Sequence, residues 1–464
     1  MVQMFARSTA SVVAAMAGTI FTIACIVNGQ QTTPTPSPKP SPATSDEIRN
    51  DPPADQELPA PSPELNLRRR ETMTGDWGGS RARWKEHGVE MQFILAGFVQ
   101  GTASGGVQRQ TLLNGKLESK FNIDFEKLSG WKYWSAQVKF EYRFGAPVLG
   151  GTGALNTVNT NVTIPASQGS VFAITALNFT RVFPISTQKG HEIAVSFGRY
   201  NTLDIQEKFF GGAGLEKFFN AAQIGPMTGL RQVPNVTNGM SIDYIRKGES
   251  FIAFGLLDPN DVSTTAGLDR LFADGVTLAP VINLPGKWFG KTGKHTFSYT
   301  VTTRKYTPFD ALKQIVSPGP PLKPPQPKRG SFSVSYVGRQ FLIERGKDDG
   351  WGVFTQLSIA DDDTSPVTRF FDVGLGGNGI FTSRQQDEFG IAYAYTGLSK
   401  VLTNNLNLVT LGNVRPHAEH QFEAFYIFHI APWLKLTSDV QIIRPVVRRA
   451  DTAVIPGARL ELIF

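Results

Sequence analysis

Residues 133–144, YWSAQVKFEYRF, alternate almost without a break. Trp134, Ala136, Val138, Phe140, Tyr142 and Phe144 hold one parity; Ser135, Gln137, Lys139, Glu141 and Arg143 hold the other. Successive side chains of an extended chain point to opposite faces, so this stretch is a strand with one apolar and one polar face. Residues 116–127, KLESKFNIDFEK, repeat the pattern: Leu117, Phe121, Ile123 and Phe125 stand against Lys116, Glu118, Lys120, Asn122, Asp124 and Glu126. The rhythm returns at 89–100, 171–182, 191–200, 239–246, 251–257, 275–284, 294–303, 330–342, 351–360, 369–376, 388–397, 419–430, 433–442 and 455–464. Together these segments predict an all-β chain of about sixteen strands.

Two architectures use such strands. A soluble sandwich turns the apolar face into a core, whereas a transmembrane barrel turns it to lipid and the polar face to a lumen. Segments of roughly 10–12 residues suit a tilted membrane strand better than the five or six usual in a soluble sheet. The connections argue independently. Counted alternately, one set is long (101–115, 145–170, 201–238, 258–274, 304–329, 398–418) and the other mostly short (128–132, 183–190, 247–250, 285–293, 343–350, 431–432). Two break the rule: 361–368 is short on the long side and 377–387 long on the short side. Outer-membrane barrels have long external loops and short periplasmic turns. The chain closes on PGARLELIF, with Ala458, Leu460, Leu462 and Phe464 on one side and Arg459 and Glu461 on the other. An alternating strand ending in an aromatic is similar to the terminal signal of bacterial outer-membrane barrels. The prediction is a transmembrane antiparallel β-barrel. A short amphipathic N-terminal helix at SRARWKEH and a disordered proline-rich linker precede it.

Residues 1–29 read as an export signal: Arg7 ends a short n-region, and SVVAAMAGTIFTIACIV is slightly too short to span a bilayer as a helix. No later stretch of about 18 apolar residues follows. Prolines at alternate positions from Pro34 fix φ and remove backbone donors, so 30–70 is expected to be an extended linker, leaving 71–464 for the barrel. Cys25 is the only cysteine, so no disulfide or Cys-based metal site can form. Lipidation of Cys25 stays open, although Thr22 matches poorly the apolar residue usual three positions before such a cysteine. The six histidines are scattered, and no metal or other cofactor is expected. A net charge of +7 with no long block of like charge gives no nucleic-acid surface. The chain has no Gly-x-Ser-x-Gly elbow and no histidine with a convincing triad partner, so no enzyme is expected.

The stretch TGDWGGSRARWKEHGVE resembles the N-terminal signature of the carbohydrate-selective, OprB-like porins, carried here by Gly75, Asp76, Trp77, Gly78, Gly79, Arg81 and Gly88. Segments 197–220, 351–363, 387–395 and 423–464 have counterparts in that family, so the resemblance covers roughly 72–464; the linker and the insert 317–330 fall outside it. It implies a bacterial outer-membrane channel through which sugars such as glucose diffuse passively, with membrane lipid around it. Sugars present hydroxyls on every side, so a path needs closely spaced donors and acceptors, each holding weakly. The polar parity offers Glu118, Lys120, Lys139, Glu141, Arg143, Glu423, Lys435, Asp439, Gln441, Arg459 and Glu461. The alternative role for each is structural, pairing opposite charges across the wall. Phe209, Phe210, Phe218 and Phe219 are the candidates to fold inward and narrow the path. Phe464 is expected to address the barrel-assembly machinery. The alternative function is a barrel-anchored tether, its linker reaching peptidoglycan.

Overall fold

The computed structural model describes residues 67–145, 149–163, 165, 169–204, 216–315, 326–412 and 416–464. The export signal with Cys25, nearly all of the linker, Phe209, Phe210 and most of the 317–330 insert lie outside the described residues.

Among the described residues the strands are β1 (Val89–Thr102), β2 (Ser104–Gly106), β3 (Gln110–Asp124), β4 (Trp134–Phe144), β5 (Val171–Ser186), β6 (His191–Asn201), β7 (Val236–Arg246), β8 (Glu249–Leu257), β9 (Thr277–Trp288), β10 (Lys291–Tyr306), β11 (Lys328–Gly346), β12 (Asp349–Ala360), β13 (Val367–Asn378), β14 (Glu388–Leu398), β15 (Glu419–Ala431), β16 (Leu434–Arg444) and β17 (Asp451–Ile463). β2 is only three residues long. The other sixteen pair antiparallel with their neighbours, and β1 also pairs with β17 from Ile94↔Ile463 to Gln100↔Gly457, which closes the barrel. Each segment predicted from alternation falls on one of these strands, except that 116–127 runs past the end of β3 into a short helix, Phe125–Ser129, capped by the Asp124 side chain.

The predicted facing holds. Along β16, Thr437, Asp439 and Gln441 are buried while Leu436, Val440 and Ile442 are exposed. Apolar side chains outside and polar ones inside invert the arrangement of a water-soluble sheet and fit a barrel surrounded by lipid. The inner face is not polar throughout. Ile94, Ala96 and Phe98 of β1 point inward and are buried, so β1 is apolar on both faces.

The short-turn end carries tight hairpins. Lys247-Gly248 and Phe289-Gly290 both have positive φ at both residues, the turn whose twist matches the flanking strands. At the other end, the first connection is shorter than predicted, because β3 already starts at Gln110. The 398–418 connection holds a helix that alternation could not reveal, Lys400–Val409, whose Leu402 N–H is capped by the Ser399 hydroxyl (3.0 Å). Asn405 of that helix donates to the Phe309 carbonyl (2.9 Å).

The glycine-tryptophan motif stitches the first strand to the last. Gly75, Trp77, Gly78 and Gly79 all have positive φ, which folds the segment tightly before the helix Ser80–Glu86. Asp76 accepts from the Ala82 N–H (2.9 Å). Arg81 lies over the Trp77 ring (4.6 Å) and donates to the Phe464 carbonyl (2.5 Å). Met73 N–H donates to the Ile463 carbonyl (2.7 Å), and Phe464 N–H to the Phe93 carbonyl (2.9 Å).

Candidate functional site in the barrel interior

Two connections from the long-loop end turn into the barrel: 149–163, between β4 and β5, and 216–235, between β6 and β7. The second brings in Phe218 and Phe219, both fully buried. Phe219 packs edge-on against Phe98 (5.6 Å), in a cluster with Ile94, Ala96 and Val162. Phe218 packs against Phe425 (4.7 Å) and Phe354 (5.9 Å). The apolar inner patches on β1, β12 and β15 are therefore the seats of these inserted side chains.

Backbone placed inside a barrel must find partners for its own N–H and C=O groups. Strand β15 supplies two carboxylates on its inward parity, four residues and about 13 Å apart, which catch the two connections separately. Glu419 accepts from the N–H groups of Leu155 (2.6 Å) and Asn156 (3.0 Å). Glu423 accepts from those of Phe219 (2.6 Å) and Asn220 (3.1 Å). Asn220 also donates its side-chain amide to Gln441 (3.1 Å). Gln441 and Gln100 in turn donate to the Val158 carbonyl (2.9 and 3.2 Å). Arg143 donates to the carbonyls of Val162 (2.5 Å) and Gly169 (2.7 Å). Glu423, Gln441 and Arg143, sought in the sequence as groups along a solute path, thus hold inserted backbone.

The remaining candidates form two charged stretches. On β3 and β4 the register sets like charges opposite, Glu118↔Glu141 and Lys120↔Lys139. The side chains resolve this by pairing along the diagonals. Lys116 meets Glu141 (2.6 Å), and Lys139 meets Glu118 (2.9 Å), Glu141 (3.3 Å) and Asp204 (2.8 Å). Lys120 is half-buried on the same inward face. On β16 and β17, Glu461 lies 3.8 Å from Lys435 and 3.9 Å from Arg459, and Arg459 stands over the Phe219 ring (5.1 Å). Asp439 accepts from Gln441 (3.1 Å). All eleven candidates lie on one arc of neighbouring strands, β15–β16–β17–β1–β3–β4. Eight of them are buried, at 0 % exposed for Glu141 and Arg143 and 1 % for Glu423 and Arg459, whereas Glu118, Lys120 and Lys435 are half-buried.

The opposite arc, β6 to β11, has a different inner face. Ser196, Ser241, Thr296, Ser298 and Ser335 point inward and are only half-buried. They form hydroxyl pairs, Ser196–Ser241 and Ser298–Ser335 (both 2.8 Å), and Thr296 donates to Asn283 (2.8 Å). Sequence reasoning weighted charge and passed over these residues; the signal was the alternation of Ser and Thr with aromatics in HTFSYTVTT and SFSVSY. It also missed Glu419 and the pairing of Lys217 with Glu388, a contact between residues 171 apart in sequence.

A family model described as the carbohydrate-selective porin, OprB family, matches residues 109–464. The opening glycine-tryptophan motif lies before the matched residues. The chain is 21 % identical to Porin B of Pseudomonas aeruginosa, over 84 % of this chain and 91 % of that protein. Its fold matches the high-pH structure of Pseudomonas putida OprB, with a TM-score of 0.74 at 20 % identity, covering 85 % of this chain and 99 % of that one. The low-pH structure of the same protein matches with a TM-score of 0.52 at 16 % identity, over 85 % and 98 % of the two chains. The sixteen-strand barrel and the family match together place the chain in the bacterial outer membrane as a channel, and it belongs to the carbohydrate-selective porin family, OprB.

Proposed function

We propose that the barrel passes glucose-type monosaccharides and small saccharides by passive diffusion through a polar, mixed-charge lumen. The observation that carries this reading is the asymmetric interior. One arc is covered by inserted backbone seated on Glu419 and Glu423, and the facing arc offers half-buried hydroxyls. A sugar moving between them meets weak donors and acceptors in series, and no single tight site, as flux requires. The long connections face the outside in this reading, and both termini face the periplasm. Phe464 serves as the signal to the assembly machinery before its carbonyl is taken by Arg81.

Single-channel recording of the full chain in planar bilayers, with a panel of sugars, tests the proposal. Open channels whose ion current falls as glucose is added support it. A barrel that folds but does not conduct would favour the alternative, a tether whose linker contacts peptidoglycan.

A further inference from the structure

A cavity of about 480 Å³ opens at the rim of the long-loop end, between the inserted 216–235 connection and the end of β10. Its polar lining holds three cations, Arg231, Arg304 and Lys305, against one carboxylate, Asp261. That carboxylate accepts from the N–H groups of Ser263 in its own loop (2.9 Å) and of Val236 at the start of β7 (3.4 Å). Among the described residues neither guanidinium forms an ion pair. Among the described residues Arg304 donates to the Pro259 carbonyl (2.8 Å), and the Arg231 side chain makes no hydrogen bond.

Both guanidiniums stand beside one aromatic ring. They lie 5.0 Å and 6.0 Å from the ring centre of the same buried tyrosine, Tyr306. The Tyr306 hydroxyl donates to the Arg231 carbonyl (3.0 Å). The next residue, Gln232, is fixed inside the barrel: its side-chain amide lies against the hydroxyls of Ser331 (2.8 Å) and Ser365 (3.0 Å), and its carbonyl accepts from Thr277 (2.8 Å). Two planar donor forks without acidic partners among the described residues, side by side at a cavity, suit a carboxylate or phosphate. Leu230, Pro234 and Pro259 add an apolar wall for the C–H face of a sugar ring.

We propose that this rim cavity captures small anionic solutes, namely sugars carrying a carboxylate or a phosphate, through Arg231 and Arg304. The proposal extends the sugar-channel reading by adding a substrate class at the channel mouth, and its test does not depend on conduction. The full chain in neutral detergent is titrated calorimetrically with glucuronate, glucose 6-phosphate and glucose. Expected is binding of the two anions at least about tenfold tighter than glucose, weakening as salt is raised. The double variant Arg231→Gln/Arg304→Gln loses about tenfold or more of that affinity, and Arg304→Lys, which keeps the charge, loses less. If the double variant fails to fold, Arg231→Gln alone carries the test, because that side chain bonds nothing in the described structure. Glucose binding as tightly as the anions, or anion binding unchanged in the variants, overturns the proposal even where bilayers show normal sugar flux. Absent flux with intact anion binding overturns the channel reading instead.

Discussion

Glu423 supports the 216–235 connection most directly, and Glu423→Met removes both of its acceptor oxygens while keeping much of its volume. The variant leaves the Phe219 and Asn220 N–H groups without the partners they now have at 2.6 and 3.1 Å. Each orphaned donor costs about 1–3 kcal/mol, so the docked state loses about 2–6 kcal/mol in all. Burial of Phe218 and Phe219 still favours docking, by about 1.5–3 kcal/mol each. The inserted segment should therefore stay mostly docked but leave its seat far more often, by about thirtyfold at the lower bound. The ladder pairs Glu423↔Gln441 and Ala392↔Glu423 use backbone atoms and are unaffected. In single-channel recording the variant should show brief excursions to a higher conductance, and reconstituted vesicles should admit a trisaccharide faster relative to glucose. The barrel should still fold, and the temperature at which it unfolds in electrophoresis should fall by only several degrees. An unchanged size preference with quiet channels would show that Glu423 does not hold the insert. Failure of the barrel to fold would show that Glu423 is part of the wall itself.

Two further perturbations probe the outer wall and the short-turn end. Phe140 lies on the outer face against Phe121 and Phe172 (6.0 and 5.9 Å), so Phe140→Arg should destabilise the barrel by about 2–4 kcal/mol if the site is near the bilayer midplane. Measured by urea unfolding in lipid vesicles, a neutral effect would mean that the facing is inverted. At the short-turn end, burial pushes the Asp387 carboxyl up. Arg384, the His429 N–H (3.0 Å) and the Tyr426 hydroxyl (2.9 Å) together outweigh it and hold the pKa below the ordinary 3.8. A depressed folded pKa stabilises above the unfolded value, and that stability is lost as pH falls through the folded one. The wild type should thus lose stability on acidification below about 4 more steeply than Asp387→Asn, and parallel curves would refute the assignment.

The sequence made the wall legible, because period-two alternation reports facing directly and lipid outside makes the apolar face continuous. It was less informative about what fills the barrel. Glu423 and Gln441 read as lumen groups, which they are by parity, but whether such a group faces water or holds an inserted loop depends on contacts 203 and 221 residues away. No local pattern encodes such contacts. A local trace did exist on β1, where FILAGF breaks the alternation; an inward Ile94, Ala96 and Phe98 would face water unless something covered them. The helix at Lys400–Val409 was hidden by position, since nothing in a strand rhythm distinguishes a long connection that folds from one that does not.

In the proposed function, small sugars cross between an insert-covered arc and a hydroxyl-bearing arc of one barrel. Osmotic swelling of vesicles containing the full chain, measured with glucose and with saccharides of increasing length, tests it most directly. Swelling should be rapid in glucose and decline steeply from mono- to trisaccharide, with the decline flattened in Glu423→Met. Equal rates across the series, or glucose entry no faster than in protein-free vesicles, would contradict it.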